Sequence, residues 1–108
     1  MAGPQHPEFR FVDGDVVTVS NRDAVRLIAA MQTLANDVSA EEQWIPYATA
    51  IARVEAATEL HGTAVVNLYP AEDTAVLRAL DTIESNPAPK SALGRLRRAL
   101  VTNGAENT

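Results

Sequence analysis

Twice along this chain a short β-branched run passes through a capping position directly into a segment of helical periodicity. That pattern sets the fold class. The first unit is Val16-Val17-Thr18-Val19, then Ser20, then Leu27, Ile28, Met31, Leu34 and Val38 at spacings of three and four. The second is Val65-Val66-Asn67-Leu68, then Pro70, then Val76, Leu77, Leu80 and Ile83. A strand buries alternate residues and a helix buries one stripe, so each unit needs a sheet-and-helix layer to close its core. At 108 residues the chain is near the usual size of a single domain.

Local chemistry places the ends of these elements. Ser20 is suited to cap a helix over 21–37, with Asp23 in its first turn. Pro70 suits a first helical position, Glu72 and Asp73 suit the turn that follows, and Pro87 closes the segment. Upstream, Phe9-Arg10-Phe11-Val12 is joined to the first unit by Asp13-Gly14. An Asp-Gly pair between two β-rich runs predicts a hairpin. With Asp13 and Gly14 as the two loop residues, Phe11 would face Val16 and Phe9 would face Thr18.

Residues 39–61 read as a second helix, stopped by Gly62. Pro46 complicates it, because an interior proline removes a hydrogen bond and clashes with the previous turn. Either the helix starts near Pro46, with Trp44 and Ile45 as a lead-in, or one longer helix is kinked there; the first reading is favoured. Ser91 is suited to cap a last helix carrying Leu93, Leu96 and Leu100, in which Gly94 costs about 1 kcal/mol relative to Ala. The expectation is an α+β domain over 8–101, with a flexible leader at 1–7 and a flexible tail at 102–108. Its small sheet, antiparallel or mixed, has three strands: the β-hairpin 9–19 and the strand 63–68. About four helices pack mainly on one face. Two sheet edges remain to be covered, charged or used for dimerisation.

The two strand–helix units align at an offset of 49: Leu27 with Val76, Ile28 with Leu77, Met31 with Leu80, Leu34 with Ile83. Residues 16–35 and 65–84 are either an internal repeat about a pseudo-dyad or two units that share only the periodicity of any strand and helix.

Charge narrows the list of partners. The formal net charge is −5, unfavourable for general binding to nucleic acid. Its distribution is uneven. From Lys90 onward four cations (Lys90, Arg95, Arg97, Arg98) meet one acid, Glu106, for a balance of +3, and the remainder carries −8. The chain has no cysteine, which excludes disulfides and thiolate chemistry and fits a reducing, cytoplasmic setting. No stretch is apolar enough for a signal peptide or a membrane span.

Residues able to do chemistry are few. The histidines are His6 in the leader and His61 at a helix end, a position the helix dipole favours. Glu55 and Glu59 read as a solvated face. Ser20, Ser39 and Ser91 are each explained by capping, and no Gly-x-Ser-x-Gly or glycine-rich phosphate loop is present. The carboxylate pairs Asp13/Asp15, Glu41/Glu42 and Glu72/Asp73 fall at a turn or at helix starts. No catalytic residue, cofactor site or metal site is expected.

The candidate partner-binding residues are Lys90, Arg95, Arg97 and Arg98 on the last helix, whose leucines would offer a partner an apolar stripe if partly exposed. Trp44 and Tyr47, flanking Pro46, are either packing residues or interface anchors. The expected function is a non-catalytic protein-interaction or regulatory module, with self-association as one form of it. The alternatives are contact with nucleic acid or an acidic partner through the basic helix, and a small-molecule binding domain or enzyme.

Overall fold

A computed structural model of the chain describes residues 7–11, 13–39, 41–59 and 65–105. The expectations on residues 1–6, on His61 and Gly62, and on the tail from Glu106 lie outside the described residues. In chain order the elements are β1 (Glu8–Arg10), β2 (Val16–Thr18), α1 (Asn21–Asp37), α2 (Glu41–Glu59), β3 (Val65–Asn67), α3 (Pro70–Ile83) and α4 (Ala92–Leu100). A π-helical turn at Val101–Ala105 continues α4 into the region expected to be a free tail, and it packs on α3. Pro7, assigned to the leader, is buried, and its carbonyl accepts from Val19 N–H at 3.0 Å.

The fold is α+β, with a three-stranded mixed sheet in the order β2-β1-β3. β1 pairs antiparallel with β2 and parallel with β3, so the two outer strands run in opposite directions. Phe9, Val17 and Val66 lie side by side across the sheet and are all buried. The next residues along each strand, Arg10, Thr18 and Asn67, point to the other face and are exposed. One face of the sheet therefore makes the core, which α1 and α3 supply with Leu27, Met31, Val76 and Leu80. At the offset of 49 buried Val17, Leu27 and Met31 meet buried Val66, Val76 and Leu80, but exposed Arg26 meets buried Ala75 and buried Ala35 meets exposed Glu84, so common periodicity is sufficient to produce the match.

The hairpin register corrects the expectation by one residue. Phe9 faces Val17, not Thr18, and Arg10 faces Val16. Gly14 N–H donates to the Phe11 carbonyl and Phe11 N–H to the Asp15 carbonyl, both at 3.0 Å, so the loop holds three residues rather than two. Gly14, at φ +98°, takes the left-handed position that ends such a loop. Asp13 Oδ1 accepts from Asp15 N–H at 2.9 Å and tightens the turn. A one-residue slip would exchange the two faces of the strand. The observed register puts Phe9 and Val17 together in the core.

The second correction concerns α2, which is one helix from Glu41 rather than one that begins near Pro46. Pro46 lies in the second turn, so its missing N–H deprives only the carbonyl of Glu42, and Glu42 is exposed to water. Ser20 and Ser91 cap α1 and α4 as expected, their hydroxyls accepting from Asp23 N–H at 3.1 Å and Gly94 N–H at 3.0 Å. Gly94 is buried against the preceding loop, and a Cβ there would overlap the carbonyl of Ala88. No helix among the described residues is long and apolar enough to cross a membrane.

Candidate functional site

The helix α2 has two apolar faces. Tyr47, Ala50, Val54 and Ala57 recur at spacings of three and four and are buried in the core. About a third of a turn away, Trp44, Ala48, Ile51, Ala52 and Ala56 line an open groove of about 790 Å³ between α2 and α1. A helix apolar on one stripe is satisfied by its own domain, whereas one apolar on both sides has a face to spare. The alanines keep the groove floor low, which lets a helical backbone approach closely. Trp44 stands at one end, 47% exposed, and Ile45 beside it is 46% exposed.

The polar residues of the groove are Gln32 and Asn36 on α1 and Glu55 on α2, and no cation lines it. Asp37 and Glu42, exposed nearby, do not line it. Arg53, the one cation of α2, is on the opposite side of the helix and is already engaged. The groove is thus apolar in its floor, and among the described residues its rim carries one charge, that of Glu55. Glu55, expected on a solvated face, is part of that rim.

The aromatic pair around Pro46 divides. Trp44 presents surface to the groove, while Tyr47 is 3% exposed and packs in the core, which leaves it no area for a partner. On α4, Lys90 in the preceding turn and Arg95 and Arg98 on the helix are exposed. Arg97 is half-buried, and its Nε–H donates to Asp81 Oδ1 on α3 at 3.0 Å. Leu93, Leu96 and Leu100 are buried, so the leucine stripe is spent inside the domain and is not open to a partner.

A polar cluster at the start of α3 went unread in the sequence. Arg53 Nε–H is shared between the two carboxylate oxygens of Glu72, at 3.0 and 2.8 Å. Glu72 Oε1 also accepts from the backbone N–H of Tyr69 at 2.9 Å, the returning half of a capping box. The Arg53 guanidinium lies 4.8 Å from the centre of the Tyr69 ring. Its hydrogen bond to Glu72 raises an already high pKa further, against the opposing effect of burial.

The neighbouring Asp73 is 2% exposed, and its Oδ1 has no partner among the described residues. Burial, and then the charge of Glu72, raise its pKa from 3.8 to about 7. The signal was present in the sequence. Asp73, Val76, Leu77 and Leu80 share one helical face, and at the offset of 49 Asp73 falls where α1 has fully buried Ala24. Asp73 does not line the groove. Among the described residues no group of three or more His, Cys, Asp or Glu is placed to hold a metal ion.

No protein family, curated protein or solved structure matches this chain.

Proposed function

We propose that the domain is a non-catalytic protein-interaction module that receives an amphipathic helix of a partner protein in the α1/α2 groove. The observation that carries this reading is the second apolar face of α2, which the domain's own core leaves uncovered. Trp44 is the anchor, since large aromatic side chains at the edge of a desolvated pocket supply much of the affinity of such contacts. The partner helix carries an apolar ridge for the alanine floor and a cation for Glu55 at its rim. A second copy of this chain is disfavoured as the occupant, because each copy brings the same acid and, among the described residues, no cation to the groove.

The chain has a single tryptophan, so its fluorescence reports directly on the groove. Titration with a cationic, leucine- and alanine-rich helical peptide is expected to give a saturable blue shift. An acidic peptide with the same apolar ridge should give none, and Ala52→Arg should abolish the shift without loss of helical circular dichroism. A blue shift that grows with protein concentration alone would replace the partner helix with self-association. No shift with either peptide would end the reading.

A further inference from the structure

A second cleft, of about 460 Å³, lies between the α3–α4 connection and α4. Its character is opposite to that of the groove. Arg97 and Arg98 line it, Ser85, Asn86 and Thr102 add hydrogen-bonding side chains, and among the described residues no carboxylate lines it. Pro87, Pro89 and Val101 supply apolar wall.

The cleft is held in shape before anything enters it. The Ser91 hydroxyl and its backbone N–H both donate to the Ala88 carbonyl, at 2.7 and 3.0 Å, and Pro87 is buried. Gly94, also lining the cleft, allows this loop to rest directly on α4. Walls fixed in this way lose little further freedom on binding. Asp81 holds Arg97 through Nε, and no hydrogen bond from its two terminal amino groups is found among the described residues. A guanidinium anchored at Nε offers its outer fork to an oxyanion. Arg98 makes no ion pair among the described residues, so it is the one cation here whose charge is not offset.

We propose that this cleft binds a small organic oxyanion: a phosphate or carboxylate end group, carried on an apolar body. The charged end lies between Arg97 and Arg98, and the body rests on Pro87, Pro89 and Val101. A pocket of this volume suits a compact ligand of that kind. A polyanion would need an unbroken row of free cations along α4, yet Asp81 cancels the charge of Arg97, and Arg95 does not line the cleft but meets Arg98 in a separate depression beside Asp15.

The test is an NMR titration of the full chain with phenyl phosphate and with benzoate. Saturable shifts are expected at Ser85, Asn86, Arg97, Arg98 and Thr102, and the tighter of the two ligands names the end group. Arg98 is exposed, so Arg98→Ala should fold normally and weaken binding at least about tenfold, through loss of a charge-assisted hydrogen bond. Arg95→Ala should bind as wild type does. Shifts that never saturate, or that Arg98→Ala leaves unchanged, would overturn the proposal. So would tighter binding of a single-stranded oligonucleotide, weakened equally by Arg95→Ala and Arg98→Ala.

Discussion

Arg53 reaches from α2 to place its Nε–H between both carboxylate oxygens of Glu72 at the start of α3. The partners are unequally placed: the Arg53 side chain is 38% exposed and that of Glu72 only 4%. The pair therefore responds differently to the loss of each member. Arg53→Ala strands a buried carboxylate and is expected to cost about 2 kcal/mol, reduced from the fully buried case by the water around Arg53. Adding Glu72→Gln removes the stranded charge while keeping an acceptor for Tyr69 N–H, and should restore part of the loss. Urea denaturation of the two single variants and the double variant checks this. A double variant less stable than Arg53→Ala would contradict it.

Asp73 makes stability depend on pH in the direction opposite to most carboxylates. Its folded-state pKa, about 7, lies above the unfolded value of 3.8. The folded protein therefore holds more protons than the unfolded chain between these values, and stability falls as pH rises through that window. The contribution lost is on the order of a few kcal/mol. Asp73→Asn cannot ionise, so it should gain on the wild type steadily between about pH 4 and pH 7 and level off above that. Unfolding free energies of both proteins at several pH values test this, and a constant difference would show that Asp73 stays charged in the fold.

Gly94 reverses the usual rule for helical glycines. By helix propensity alone, Gly94→Ala would stabilise α4 by about 1 kcal/mol. The overlap of the added Cβ with the Ala88 carbonyl forces the loop away from α4, and a net loss of about 2 kcal/mol is expected. A rise in melting temperature would show that the loop yields freely.

Trp44 and Tyr47 should separate stability from binding. Tyr47→Ala opens a hole in the core and should cost about 3 kcal/mol. Trp44→Ala removes a half-exposed ring and should cost less than about 1 kcal/mol. Only the second should lose the proposed peptide binding while the fold persists, read by calorimetry since the fluorophore is gone.

The parts of the fold legible in the sequence were those governed by neighbours in the chain. Ser20 and Ser91 mark helix starts because a cap acts within three residues, and the stripes of α1 and α3 follow from periodicity alone. Asp13-Gly14 marks a turn equally well, but the residue count of its loop was decided by pairing Phe9 with Val17, a contact the turn itself does not contain. The effect of Pro46 depends on its distance from the start of α2, which the sequence leaves open between a start near Pro46 and a longer, kinked helix. In the sequence Asp73 reads as a companion of Glu72, because both suit a first helical turn. One residue of rotation turns Glu72 toward Arg53 and Asp73 into the core. The groove was hidden for a different reason: Trp44 and Ala52 come from α2 and Ala35 from α1, and only the packing of the two helices makes them one surface.

The strand order has a consequence for how the molecule holds together. Among the described residues β1, three residues long, is the only element that hydrogen-bonds to both outer strands. The backbone ladder thus ties the region of α1 to the region of α3 through Glu8, Phe9 and Arg10 alone. Trimming those residues would leave Val16–Thr18 and Val65–Asn67 each without a neighbour and uncover Val17 and Val66 from the side. A minor stretch at the beginning of the fold acts as its keystone.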